Sequence, residues 1–434
     1  MIWNKARECM SRDELAILQG RRLVELVDYM YHNAGYYMKK MRRLGLEPGD
    51  IRGIEDLDKL PFTTKEDLIE AYPLGVFALP DSKIVRYHVS QHRAGYVGME
   101  TMAGYSQGDI DIQSECMARS ISMAGLGERD VIQVAHSDGV CTDDPGASRG
   151  AEQVGAAVIP AAGCKPAVLT ALMRRLQVTG VIGTSSELMQ VAQIVGERGL
   201  KESLQLKAAM CEGSSWAESI RERLEERLGI RVYDIFSLEE LTGLGVACEC
   251  EYRKGMHIQE DFFLAEILDT NTMLVLPAGA HGELVFTSLQ REGIPLIRYR
   301  TMHIARINCE KCQCGRTMAR IDRLCCGMDD TLLIRGNSVS VSHVEAALCA
   351  LRDIEASYII RIREEHHIDV VDVYVESTAM TGALLSEHWA DVKHRVACAI
   401  HRTIGVEPDV YDAGKNPFDT MLFKRKVTIV DERK

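Results

Sequence analysis

The sequence predicts an α/β protein: a large N-terminal domain, residues 1–328, of parallel or mixed sheet covered by helices, and a small α+β domain at residues 329–434. Three observations lead there. Strands and helices alternate from residue 84 to about residue 300, the order that builds a helix-covered parallel sheet. Near residue 329 the order changes to strand, helix, two strands and helix. A chain of 434 residues is also long enough for two or three domains with a substantial core.

Taken in order, residues 1–80 read as helices and loops. Within 60–68, Thr63 or Thr64 is the candidate N-cap, with Asp67 in the first turn behind it. Residues 131–134 read as a strand, 150–155 as part of a helix followed by Ala157-Val158-Ile159-Pro160, 168–176 as a helix and 178–182 as a strand. Residues 216–228 put Ile220, Leu224 and Leu228 on one helical face. Gly229 can end that helix, and 230–236 is the next strand. Leu284-Val285-Phe286-Thr287 is a β-branched and aromatic run, Gly293 and Pro295 mark a turn, and 296–301 is a second strand carrying Arg298 and Arg300. Beyond a hinge at Asp329-Asp330 come strands at 331–334, 357–363 and 370–375 and helices at 343–351 and 385–400. Parallel sheets of this kind place ligands at the carboxyl ends of their strands.

Composition narrows the function. The formal net charge of −12 disfavours non-specific binding to nucleic acid or an anionic membrane. The N-terminus is polar and charged, unlike a secretory signal, and no apolar run reaches the length of a membrane span. Fourteen cysteines without an export signal read as thiols and metal ligands, so the expected compartment is the cytoplasm. Cys248 and Cys250 lie just before His257, and Cys309, Cys312 and Cys314 cluster a long span later. Two such groups of soft ligands suit a tetrahedral zinc site, with zinc favoured over a hard cation. Cys325 and Cys326 lack comparable partners and read as packing or exposed residues.

Several stretches carry a family resemblance. GELVFTSLQREGIPLIRYRT (282–301), LPFTTKEDL (60–68), Trp3-Asn4, GAEQVGAAVIP (150–160), CQCGRT (312–317) and LLIRG (332–336) resemble phenylacetate–CoA ligase-like members of the AMP-forming, adenylating superfamily. The resemblance covers nearly the whole chain. It implies an adenylation-type N-terminal domain, a mobile C-terminal domain, and an acyl- or aryl-CoA ligase that joins a small carboxylic acid to CoA using ATP and magnesium. It also implies a homodimer. In the CQCGRT stretch and the preceding Cys and His it singles out Cys250, His257, Cys312 and Cys314 as ligands of a structural zinc, within loops 248–257 and 309–314, with Cys248 and Cys309 in reserve.

The departures from the family pattern fall on the nucleotide motifs. YDIFSLEE (233–240) keeps Glu240 where the family holds magnesium, while Phe236, Ser237 and Glu239 replace tyrosine, glycine and serine. The phosphate loop retains only Ser90 and Gly95, with Tyr96 at its lysine position and His92 and Arg93 as substitute charges. Glu212 is out of register with the family's adenine-side glutamate. His303 stands where a ribose-binding acid is expected, and an imidazole offers fewer acceptors than a carboxylate. Cys326-Gly327 replaces Gly-Arg before the hinge, whereas Arg335 keeps the frame after it. An ungapped count back from Asp431 sets Arg425 at the family's catalytic lysine and a one-residue shift sets Lys424 there; Lys424 is the candidate catalytic cation, a basic surface strand the alternative reading, and Glu240 the candidate magnesium ligand. The nucleotide contacts implied are Ser90, His92, Arg93, Gly95, Glu239, His303 and Arg335. His136 and Asp138 stand where aryl ligases enclose their acid; they either meet a polar ligand or face water. Three functions compete: a ligase with remodelled ATP contacts, a ligase-derived binding or scaffolding protein, and a CoA-thioester-handling protein without the adenylation step.

Overall fold

A computed structural model of the chain describes residues 1–71, 75–91, 100–135, 145–212, 218–238, 240–322, 331–334, 337–340, 344, 347–348, 350–351, 354–365, 368–377, 385–413 and 429–431. The N-terminal segment is helical: α1 (Lys5–Glu8), α2 (Arg12–Asn33), α3 (Gly35–Arg43) and α4 (Lys65–Glu70). Thr64, rather than Thr63, caps α4, in a reciprocal capping box with Asp67.

The antiparallel pair β1 (Arg86–Gln91) and β2 (Glu100–Tyr105) stands apart from the main sheet. Then α5 (Gln107–Met123), β3 (Val131–Val134), α6 (Pro145–Gln153), β4 (Ala157–Pro160), α7 (Pro166–Arg175), β5 (Gly180–Thr184), α8 (Ser185–Glu197), β6 (Ala208–Glu212), α9 (Glu218–Leu228) and β7 (Arg231–Leu238) alternate as expected. Gly229 ends α9 with φ 73°, a left-handed conformation that glycine adopts without strain. There the alternation stops, well before residue 300. β8 (Gly243–Glu249), β9 (Met256–Ile258), β10 (Phe263–Leu268), β11 (His281–Ser288), β12 (Tyr299–Asn308) and β13 (Arg320–Ile321) follow without an intervening helix.

Among the described residues these strands form one eleven-stranded sheet of order β10-β11-β12-β13-β9-β8-β7-β6-β5-β3-β4. From β4 to β7 every pairing is parallel. From β7 outward every pairing is antiparallel. Antiparallel neighbours need only turns between them, which is why the helices disappear. The parallel half is covered on both faces. Met117, Ile121 and Ala147 of α5 and α6 pack on Ile132, Ile182 and Met210. Leu169, Leu188 and Leu224 of α7, α8 and α9 pack on Val181, Ala209 and Val232. No helix among the described residues is long and apolar enough to cross a membrane.

The described C-terminal residues build two further sheets. β14 (Thr331–Ile334) pairs with β15 (Asn337–Ser340), and β16 (Ile354–Glu365), β17 (Ile368–Ser377), β18 (Asp409–Asp412) and β19 (Ile429–Asp431) lie in the order β18-β17-β16-β19. Helix α10 (Leu385–Ile404) closes a core of its own with Ile360, Ile362, Val371 and Val373, to which it contributes Val396 and Ile400. Of the helix expected at 343–351, Val344, Ala347 and Leu348 are described as helical, and the expected hinge at Asp329-Asp330 lies outside the described residues.

Two of the stretches quoted above, 60–68 and 282–301, are structural partners of each other. Thr63 donates its backbone N–H to Arg298 O (3.1 Å) and accepts from Arg300 N (2.9 Å), while its hydroxyl donates to Ile297 O (2.7 Å). Arg298 has φ 44°, which breaks the extended run and delays the start of β12 from the expected residue 296 to Tyr299. Its guanidinium is buried. It grips Glu266 through Nε (3.1 Å) and Nη2 (2.9 Å), donates to Asp58 O and Leu60 O, and stacks 4.1 Å from the Phe62 ring. Burial raises the Glu266 carboxyl above its ordinary value, and the Arg298 contacts oppose that rise. Arg298 is therefore a structural rivet. Arg298→Met would leave Glu266 buried without its cation. The expected cost is about 3–5 kcal/mol, read as a lower denaturation midpoint for the N-terminal domain.

Candidate functional site

The carboxyl ends of β6 and β7 lie side by side, with Glu212 opposite Ile235 in register. Ser237 on β7 donates its hydroxyl to the Glu212 carboxylate, so the two strand ends are tied. Just beyond β7 the chain turns back sharply: Leu241 N and Thr242 N both donate to Leu238 O, at 3.0 and 3.1 Å. Glu240 sits at this turn, half-buried. Among the described residues its carboxylate has no hydrogen-bond or ion-pair partner. Its backbone, by contrast, is held. Arg291 donates Nη1 to the carbonyls of both Glu240 and Leu241. The turn thus presents an unengaged acid on a fixed support, the arrangement needed to bind a cation.

His303 faces the same strand. Its ring meets Phe236 edge-on, with centroids 5.7 Å apart and planes at 82°. Phe236 in turn stacks on Phe286 at 6.2 Å. The residue before His303 bends the strand: Met302 has φ 59°, opposite the register shift between Glu283 and Val285 on β11. A non-glycine residue in this region carries backbone strain, held here by Met302 N donating to Glu283 Oε1 (3.3 Å) and His303 N donating to Thr301 Oγ1 (3.2 Å). Phe236 and His303, singled out separately in the sequence, are therefore in contact. Arg300 is committed elsewhere, doubly bonded to the fully buried Glu283.

A second cluster joins loops distant in sequence. The ligand atoms of Cys250, His257, Cys312 and Cys314 all lie within 4.8 Å of one another. Cys250 Sγ is 3.7 Å from Cys312 Sγ, and Cys314 Sγ is 3.5 Å from His257 Nε2. Metal–ligand bonds of zinc length at tetrahedral angles place two thiolates about 3.8 Å apart and a thiolate and an imidazole about 3.6 Å apart. The donor set and its spacing therefore fit zinc. His257 Nδ1 lies 3.3 Å from Met318 O, which directs Nε2 to the thiols. Hydrogen bonding between Cys250 and Cys314 pushes the first thiol up and the second down, as expected of groups sharing protons.

Its surroundings are well braced. Arg320 spans both loops, donating to Lys254 O (2.7 Å) and Glu310 O (3.0 Å). The N-terminal segment crosses the second loop: Glu8, fully buried, pairs with Arg316 at 2.5 Å, and Thr317 N donates to Glu8 O at 3.1 Å. The reserves fall away. Cys309 is exposed and outside the cluster, and Cys248 is buried with its thiol toward Ser120 O and Glu249 O.

The other expected site residues divide cleanly. Ser90 is on β1, opposite Thr101. His92, Arg93, Gly95, Glu239, Arg335 and Lys424 lie outside the described residues, as do His136, Asp138, Cys325 and Cys326. Arg291 was not anticipated: an arginine in a strand-to-strand turn reads as a solvated charge, and nothing in its neighbourhood signals burial.

Comparison with known proteins agrees with this architecture. Residues 336–433 match the family model of the AMP-binding enzyme C-terminal domain. The chain is 35% identical over 403 residues to a phenylacetate-coenzyme A ligase of Thermus thermophilus, covering 91% of this chain and 90% of that protein. It is 36% identical over 406 residues to the phenylacetate-coenzyme A ligase of Escherichia coli K12, covering 93% and 92%. Among solved structures it is similar to 2-hydroxyisobutyryl-CoA ligase in the postadenylation state in complex with 2-HIB-AMP, with a TM-score of 0.81, 26% identity and coverage of 98% of this chain and 91% of that one. The chain belongs to the phenylacetate–CoA ligase family of adenylate-forming acyl- and aryl-CoA ligases.

Proposed function

We propose that this protein converts a small carboxylic acid to its CoA thioester through an acyl-adenylate formed at the carboxyl ends of β6 and β7. A carboxylate oxygen attacks the α-phosphorus of ATP and pyrophosphate leaves. The CoA thiol then attacks the acyl carbonyl and AMP leaves. The observation that carries the reading is the Glu240 carboxylate, unengaged by the described residues on a turn whose backbone is clamped. Glu240 would hold magnesium, which offsets the charge of the triphosphate. Lys424 would supply the mobile cation from a C-terminal domain, residues 329–434, that swings on Asp329-Asp330. His303 against Phe236 would replace the acid at the ribose, and Ser90, His92, Arg93, Gly95, Glu239 and Arg335 would complete the nucleotide contacts. A cytoplasmic homodimer is the setting we infer from the thiols and the family resemblance.

Pyrophosphate release with ATP, magnesium, CoA and a panel of carboxylic acids tests this. We expect turnover with at least one acid, and Glu240→Gln to lower kcat/KM by about 10²–10³-fold. No turnover with any acid, together with no ATP-induced thermal shift, would instead favour a binding protein that has given up the reaction.

We also propose a structural zinc held by Cys250, His257, Cys312 and Cys314, supported by the spacing of their ligand atoms. Four protein ligands leave no open position, so the metal would supply cross-linking rather than Lewis-acid chemistry. Metal analysis of tag-free protein should find one zinc per chain, and Cys312→Ser should abolish most of it and lower the unfolding midpoint. Substoichiometric zinc that Cys312→Ser leaves unchanged would reject the site.

A further inference from the structure

Arg291 is a buried charge that the described residues leave partly unsatisfied. It is 6% exposed. Nη1 donates to two carbonyls, those of Glu240 and Leu241, and the guanidinium lies 4.8 Å above the Tyr105 ring. It has no carboxylate partner among the described residues, and its Nε and Nη2 are buried and bond to no described residue. Alongside Asp109, Thr242, Ser288 and Gln290 it lines a cavity of about 10 Å³, room for one water molecule.

The turn that carries Arg291 is itself fixed. The buried Asp109 carboxylate accepts from Glu292 N (2.7 Å), Gly293 N (2.9 Å) and Ser106 N (2.9 Å). Ser106 donates its hydroxyl to the Glu292 carboxylate (2.6 Å), and Tyr29 donates to Glu292 O (2.9 Å). Gly293 could not be replaced without moving this turn, because an added Cβ would come 2.2 Å from Gly104 O. A rigid base therefore holds a buried cation, and that cation holds the backbone of the acid-bearing turn.

We infer that Arg291 is the positioning residue for Glu240: it fixes the turn backbone so that the carboxylate meets the cation without first being ordered. A salt bridge to Glu240 would have consumed the acid. Bonding to its carbonyl instead leaves the carboxylate free of the guanidinium. The inference rests on Glu240 binding the metal of the nucleotide, as proposed above.

The test is the affinity of the protein for Mn2+–ATP, read from the enhancement of water proton relaxation that the complex acquires on binding the protein and that Mn2+–ATP alone does not show. We compare wild type, Glu240→Gln, Arg291→Met and Arg291→Lys, each checked for folding by thermal unfolding. Arg291→Met should weaken Mn2+–ATP binding by about 10–100-fold, as loss of an outer partner of a metal ligand does. Arg291→Lys, which keeps the charge and can still reach a carbonyl, should recover most of the loss; if Arg291→Met does not fold, Arg291→Gln replaces it, with a loss of the same direction expected. A merely structural arginine would change the unfolding midpoint and leave the affinity of the folded variants unaltered. Wild-type binding that Glu240→Gln weakens and both folded Arg291 variants retain would overturn this inference alone. Absence of Mn2+–ATP binding by the wild type would remove the nucleotide reading and this inference with it.

Discussion

One strand sets the terms for the whole N-terminal domain. β7 pairs in parallel with β6 on one edge and antiparallel with β8 on the other. Its parallel edge requires helix-covered crossovers, so the chain from β3 to β7 comes in strand–helix units. Its antiparallel edge requires a tight reversal. The carboxyl end of β7 therefore lies both beside the open ends of a parallel sheet, where ligands enter, and on a turn too short to wander. An acid at that turn gains ligand access from the first property and definition from the second. Phe236 and Ser237 lie on the same strand, so its last few residues gather the contacts to β6, β11 and β12.

Buried guanidinium groups do much of the long-range joining. Arg119 grips Asp261 with two bonds, at 2.7 and 3.0 Å, across 142 residues of sequence. Phe262, next to that aspartate, lies under both Arg119 and Arg22. Burial pushes Arg22 down to about 10, against the attraction of Asp261. Arg298 with Glu266 and Arg316 with Glu8 repeat the pattern. Such pairs are poor sources of net stability, because desolvation cancels much of the attraction. What they contribute here is register: a guanidinium with several bonds of fixed direction admits few alternative neighbours.

The parallel half of the sheet was legible because its helices carry a clear periodicity, as Ile220, Leu224 and Leu228 do, and because short apolar runs fall between them. The antiparallel half was not. β8 is buried at nearly every position, so it lacks the two-residue alternation that marks a strand with one wet face. The start of β12 was misplaced because a left-handed arginine cannot be read from residue type. The cysteine–histidine cluster was legible by spacing and resemblance, yet the inclusion of Cys250 rather than Cys248 depends on where β8 ends, which spacing does not reveal. The support of the acid turn was wholly hidden. Ser106 and Asp109 read locally as the capping box of α5, and Arg291, far away in sequence, reads as an ordinary surface charge; nothing in either segment points to the other.

The strap formed by the first ten residues has a temporal consequence. Glu8 is completely enclosed once paired, yet Arg316 follows it by 308 positions. At ribosomal speeds of about 5–20 residues per second, the glutamate waits roughly 15–60 s for its cation to be synthesised. During that interval Trp3 and Asn4 can already reach Glu115, to which both donate, but Glu8 has no cation to accompany it into the interior. The enclosure of that one carboxylate is therefore a late event, set by the synthesis of Arg316.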